Sequence, residues 1–343
     1  MPINQQKNDR ALERLIARLR RKSKPLAVTG AGVSVWAGYR TWAEVIDDLA
    51  RAVGESNPGI DTATIIQNNR NPLHCAQNLG AYLGPRFADF IQAEFGPKAI
   101  VPGSLPLTLC NLPFRHFLTF NIDPSLEQIH IQMPRPCVAV TTGNLRNCRD
   151  LTLFMREDSD GADRRVVHLH GAHNDPPELI ALTNDGYARL YQPGSLFSRF
   201  VWWLVTSQCL VFLGYGFADM DFLNLMRTSV FDLSPGKPLH FAVRGITADQ
   251  NDEEIRNELN NSFRIDPIFY EIGSQPENRH AGFADLIRGI PSQLDIPEAE
   301  IPASPVEEIT IAAEPADIQR ANELSRDLID KIDPREDAND VSR

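Results

Sequence analysis

Two periodicities alternate along the chain. Short apolar runs bounded by glycine, proline or polar residues fall at 26–29, 117–120, 137–141, 151–155, 166–170, Leu179–Leu182, Cys209–Leu213, Leu239–Val243 and Ile268–Ile272. This is how buried strands read. Between them the apolar residues follow helical spacing. Leu12, Leu15, Ile16 and Leu19 mark one face of a helix over 8–22, ringed by Arg10, Arg14, Arg18, Arg20, Arg21 and Lys22. That basic ring reads as the solvated face of a packing helix, with a subunit or acidic-partner contact as the sharper alternative. Further helices are expected near 42–53, 195–206, 219–230, 249–260 and 281–290. Residues 62–96 are expected to be helical, with Phe87, Phe90, Ile91 and Phe95 at helical spacing and Gly80, Gly84 and Gly96 as stops. Alternating strands and helices predict a Rossmann-like α/β fold, a mostly parallel sheet with helices on both faces. The insertion at about 54–116 would add a small helical lobe over the first strand's glycines.

The pattern breaks at Pro291. Residues 1–290 read as the folded domain, and 291–343 as an acidic, proline-rich linker and tail. A short amphipathic helix is expected within it at 315–332, on the face marked by Ile318, Ala321, Leu328 and Ile332. That helix could fold back or dock on a partner. Of the 343 residues, 34 are Lys or Arg and 45 Asp or Glu, a net charge of −11. Most of the excess lies beyond residue 290, so it describes the tail and not the core. No basic face suggests direct, specific nucleic-acid binding. The five cysteines are odd in number and nowhere spaced as CxxC, which disfavours a disulfide framework and a structural zinc, and suits reduced thiols in the cytoplasm. Phe200–Phe217 lacks charge but is broken by Thr206-Ser207-Gln208, Gly214 and Gly216, so a buried helix end and strand are expected there and no membrane span.

Four polar motifs sit where strands should end, which is where open α/β sheets hold ligands. The first is Gly30-Ala31-Gly32-Val33-Ser34 after Leu26–Thr29, with a capping box at Thr41-Trp42-Ala43-Glu44 opening the next helix. Glycines let the backbone approach a pyrophosphate, whose charge a helix N-terminus favours. Gly-x-Gly alone is equally a tight turn, and Val35 holds the third glycine position of the dinucleotide pattern. The others are Thr119-Phe120-Asn121-Ile122-Asp123, His168-Leu169-His170-Gly171 and Gly214-Tyr215-Gly216-Phe217. Asn121-Ile122-Asp123-Pro124 could merely cap a helix. His168 and His170, two apart on one strand face, could be a satisfied pair or a metal pair.

Together and in this order the motifs resemble those of the sirtuin-like superfamily, in particular its bacterial branch of NAD-cleaving antiphage-defence effectors. Gly30–Ser34 resembles the family's Gly-Ala-Gly-Ile/Val-Ser loop and Thr119–Asp123 its Thr-Gln-Asn-Ile-Asp motif. Leu169-His170-Gly171 resembles the Leu-His-Gly catalytic segment, and Gly214-Tyr215-Gly216 the later glycine turn at the adenosine end. The resemblance spans about 25–290 and implies NAD as substrate. By it, His170 would be a general base on a ribose hydroxyl, Asn121 would orient ribose and water, and Asp123 would contact the nicotinamide amide. Gly30, Ala31, Gly32, Val33 and Ser34 would hold the pyrophosphate, with Tyr39, Thr41, Trp42, Gly214, Tyr215 and Gly216 completing the binding set. Tyr39 and Trp42 are lid candidates. Deacylases of the family carry Gly-Ile-Pro-Asp-Phe-Arg where this chain reads Gly38-Tyr39-Arg40-Thr41-Trp42-Ala43. They also carry a four-cysteine zinc module after the histidine, whereas no cysteine lies between His170 and Cys209, so no zinc is expected.

The expected function is therefore an NAD hydrolase releasing nicotinamide and ADP-ribose, a gated effector of antiviral defence by NAD depletion. The alternative is a non-catalytic NAD- or ADP-ribose-binding subunit; a deacylase or ADP-ribosyltransferase is disfavoured. The resemblance further implies gating by homo-oligomerisation or by a partner subunit such as a hexameric DNA-translocating ATPase or an Argonaute-like sensor.

Overall fold

The computed structural model describes residues 3–69, 71–99, 104–133, 137–141, 154, 164–231, 239–275 and 279–296. By internal contacts the chain divides into Met1–Ile301 and Pro302–Arg343. The expected tail helix at 315–332 and most of the strand expected at 151–155 lie outside the described residues.

The described strands are β1 (Leu26–Thr29), β2 (Phe117–Thr119), β3 (Cys137–Thr141), β4 (Arg164–His168), β5 (Leu210–Leu213), β6 (His240–Ile246) and β7 (Ile265–Glu271). They form one sheet in the order β3-β4-β2-β1-β5-β6-β7. Every pairing is parallel. The order reverses at β1, with β2 on one side and β5 on the other, the switch point at which such sheets open a crevice. Side chains alternate between two cores. Ala27, Val211 and Leu213 face one with Leu15, Leu19, Leu109 and Ile287. Leu26, Val28, Leu210 and Phe212 face the other with Phe200, Leu204, Phe222 and Leu259. Both faces are buried, so these strands read as continuous apolar runs.

On the first face, α1 (Gln5–Arg20) buries Ala11, Leu15, Ile16 and Leu19. Its residues Lys7 and Arg14 pair with Glu253 and Asp266 at 2.6 and 2.5 Å. The second face is covered by α10 (Leu196–Ser207), α11 (Met220–Phe231) and α12 (Asp252–Phe263). Among the described residues no helix is long and apolar enough to cross a membrane. The last described helix, α13 (Ala281–Gln293), runs through Pro291, three residues beyond the expected end.

The region between β1 and β2 contains α2 (Ala31–Trp36), α3 (Trp42–Ser56), α4 (Thr62–Asn68), α5 (Pro72–Leu83), α6 (Arg86–Phe95) and α7 (Leu105–Asn111). Helices α3, α5 and α6 share a separate apolar cluster that includes Ile46, Leu49, Leu79, Phe87 and Ile91, joined by Ile122, Ile180 and Leu182 from beyond the sheet. The lobe thus begins with α3, while α7 packs into the sheet core. The remaining described α-helices are α8 (Ser125–Gln132) and α9 (Asn184–Leu190).

Candidate active site

Register brings the four motifs to one level. Thr29 pairs with Thr119 and Leu213, and Thr119 with His168. Since the strands are parallel, the chain leaves all four at the same sheet edge. There a cavity of about 650 Å³ opens between sheet and lobe, within the ~300–1,000 Å³ typical of small-molecule sites. Of the expected binding residues, Gly30, Ala31, Ser34, Tyr39, Trp42, Asp123, Tyr215 and Gly216 line it, with Asn121 and His170. Gly32, Val33, Thr41 and Gly214 stand outside the lining.

These four serve the architecture. The glycine segment is the start of α2, with Gly30 as its N-cap. The Gly32 N–H donates to Gly214 O at 3.0 Å and the Val33 N–H to Gly30 O at 2.9 Å. A Cβ on Gly32 would sit 2.9 Å from Gly214 O, and one on Gly214, whose φ is +59°, 2.8 Å from Val33 N. The two glycine turns are therefore packed backbone on backbone. Thr41 and Glu44 form the expected capping box on α3.

Asn121 is fixed from three sides. Its N–H donates to Thr119 Oγ1 (3.0 Å), its Nδ2 to Gly30 O (2.9 Å), and its carbonyl accepts from His168 Nδ1 (2.8 Å). His168, the last residue of β4, pairs through Nε2 with Glu127 of α8. Burial opposes the imidazolium, but the Glu127 carboxylate and the Asn121 carbonyl outweigh it and raise the His168 pKa to about 9. Glu127, despite its burial, is held below the ordinary carboxylate value by His168. Asp123 accepts from Ser34 Oγ at 2.5 Å and from the Ser125 N–H at 3.1 Å.

His170 lies past the end of β4, in a turn, so the two histidines are not a pair on one strand. Its Nε2 is 2.8 Å from the Tyr191 hydroxyl and 3.4 Å from Asp219 Oδ2. Its Nδ1 is 3.4 Å from the Tyr187 hydroxyl. Phe120 packs edge-on against its ring and stacks on Tyr215. Burial opposes ionisation of Asp219, yet hydrogen bonds from His170, the Phe222 N–H and Tyr191 keep its carboxyl below the ordinary value. Asp221 is pushed up by burial and by Asp219. Among the described residues no group of three or more His, Cys, Asp or Glu is arranged to hold a metal.

At the lobe side, the Tyr39 hydroxyl donates to Gly96 O at 3.0 Å, with Lys98 over its ring. Arg40 lines the cavity, about half exposed, and pairs with Asp48 and, at 3.6 Å, with Glu94. Sequence reasoning passed over Arg40 as a binding residue, and over Phe120, Tyr187, Tyr191, Asp219 and Asp221. The four-residue spacing of Tyr187 and Tyr191 and the Asp-Met-Asp after the second glycine turn were the available signals. Asp219 caps α11 through the Phe222 N–H at 3.0 Å, and that role alone explains an Asp there.

The site thus joins two glycine turns, a fixed amide, a histidine on a carboxylate, and aromatic walls. Comparison with curated proteins finds no significantly similar relative. The family model of the SIR2-like domain matches residues 115–268, a segment that contains Asn121, Asp123, His170, Tyr215 and Asp219. That segment of the chain is similar to the SIR2-like, or sirtuin-like, domain family, whose members use NAD.

Proposed function

We propose that the protein is an NAD glycohydrolase, cleaving the bond between nicotinamide and ribose to give nicotinamide and ADP-ribose. The observation that carries this is the meeting of Asn121 and His170, from two different strand ends, in one cavity with Gly30 and Ala31. Nicotinamide departs through an oxocarbenium-like state, as in glycoside hydrolysis. Asp123 and Asp219 supply negative charge where positive charge develops on the ribose. Asn121, its Nδ2 held by Gly30 O, keeps Oδ1 as an acceptor for ribose or water. His170 takes a proton from a ribose hydroxyl. Gly30 and Ala31 approach the pyrophosphate, and Arg40 offers it a cation. Unchecked hydrolysis would drain the host of NAD. A gated role in antiviral defence, switched by self-association or by a translocating ATPase or Argonaute-like partner, follows from that hazard and from the motif resemblance.

The test is nicotinamide release from NAD by the full chain, with His170→Ala and Asn121→Ala alongside. Release that falls about 100-fold or more in both variants is the expected result. Release that survives both would remove these residues from the chemistry. NAD bound but uncleaved would favour a non-catalytic binding subunit.

A further inference from the structure

We propose that Asp219 and Tyr191 are positioning residues that hold His170 in one tautomer, with Nε2 protonated and Nδ1 left as the base. This deepens, and rests on, the reading of His170 as the group that takes a proton from a ligand hydroxyl. Three contacts carry it. The Tyr191 hydroxyl lies 2.8 Å from His170 Nε2 and donates to Asp219 Oδ2 at 3.0 Å. Asp219 Oδ2 itself is 3.4 Å from Nε2.

A phenol has one proton. Given to the carboxylate, it leaves the Tyr191 oxygen as an acceptor at Nε2, so Nε2 must donate. The neighbouring carboxylate favours the same arrangement, since an ionised Asp219 offers Nε2 only acceptors. In a neutral ring Nδ1 then carries the lone pair. Its one described contact is the Tyr187 hydroxyl at 3.4 Å, long enough for a ligand hydroxyl to displace. That hydroxyl is equally far, 3.4 Å, from Asp219 Oδ2, which already takes the Tyr191 proton at 3.0 Å, so the Tyr187 proton stays available to Nδ1. Both Tyr187 and Asp219 line the cavity, whereas Tyr191 stands behind them. In the step itself the ligand O–H bond breaks with its electron pair remaining on oxygen, and an N–H bond forms at Nδ1. The resulting imidazolium is stabilised by Asp219 across Nε2–H, directly and through Tyr191. Carboxylate support of a catalytic histidine from the far nitrogen is the logic of hydrolase triads. Here a tyrosine is interposed.

Asp219→Asn tests this with little risk to the fold, because asparagine caps a helix about as well as aspartate and can keep the Phe222 N–H bond. Its amide, however, can donate toward Nε2 and so favours the opposite tautomer. Nitrogen-15 spectra of histidine-labelled full chain in alkaline buffer report which nitrogen bears the proton. The His170 signal is assigned by its loss in His170→Gln. The wild type is expected to show Nε2–H, and Asp219→Asn to shift toward Nδ1–H. Nicotinamide release should fall about 100-fold or more in kcat for Asp219→Asn with KM nearly unchanged. Tyr191→Phe, which loses the hydroxyl's bonds to both His170 and Asp219 but keeps the carboxylate, should fall about tenfold. An Nδ1–H wild type, or an Asp219→Asn protein that keeps both Nε2–H and its kcat, overturns the proposal. Should the wild type release no nicotinamide, the hydrolase reading fails separately, and the spectra alone decide whether Asp219 sets the tautomer.

Discussion

At the scale of single residues, contact between the two glycine turns governs the site. A Cβ on Gly30 would lie 2.8 Å from Gly214 O and 2.9 Å from Tyr215 Cα, both backbone atoms that cannot swing aside. Gly216, two residues on, faces open space. Gly30→Ala should therefore cost about 1–3 kcal/mol by overpacking, whereas Gly216→Ala should stay within about 0.5 kcal/mol. Denaturant titration of both variants reads the difference, and equal costs would refute backbone contact as the reason for Gly30. The sequence showed that glycines follow β1 and β5. It could not show that they face each other, because that depends on the pairing of strands far apart in the chain. For the same reason Gly32 and Gly214 read as ligand contacts, although their role is to let the turns meet. Asp219 shows the converse. A lone Asp before a helix reads as a cap, and only the folded chain brings His170 within 3.4 Å of it.

At the scale of elements, local rules carried most of the reading. The capping box at Thr41, the burial of one face of α1, and the runs that became β3 and β5 were legible from neighbours in sequence. Helix α9 was missed because its spacing is short and Gly186 lies inside it. It matters, since it presents Tyr187 to His170 and ends at Tyr191. The link between β4 and α8 was also hidden. His168 reads as half of a histidine pair, but its partner is Glu127, and together they fix the Asn121 carbonyl. This pair has a pH signature. The His168 pKa is raised in the fold to about 9 from about 6.5. Its contribution is therefore fully present below about pH 6.5 and is lost as pH rises through 9. The Glu127 pKa is depressed, so its share is present above the ordinary carboxylate range and lost only in acid. Between pH 6.5 and 9.5 the wild type should lose on the order of 1–3 kcal/mol that His168→Gln does not lose. Stability curves for both proteins across that range measure it; parallel curves would mean that the pair carries no charge.

At the scale of the whole molecule, the parallel sheet determines what the site can be. Its level strand ends collect side chains as far apart in the chain as Gly30 and Asp221, and Tyr39 and Arg40, just before the lobe, line the cavity with Trp42 of α3. The fold class was readable because alternating periodicities leave few ways to bury both faces of a sheet. The cavity's inventory was less so. Gly38-Tyr39-Arg40-Thr41 departs from the deacylase pattern, and only the fold shows Arg40 at the cavity wall, tied to Asp48 and Glu94.

In the proposed complex this cavity holds NAD with its nicotinamide ribose at Asn121 and His170 and its pyrophosphate at Gly30 and Ala31. Crystals of the His170→Ala protein grown with NAD test it most directly. The expected result is a ribose hydroxyl within about 3.5 Å of the Asn121 amide, with the phosphates beside the first glycine turn and Arg40. NAD bound with its adenine end at Asn121, or seated outside the cavity, would contradict it.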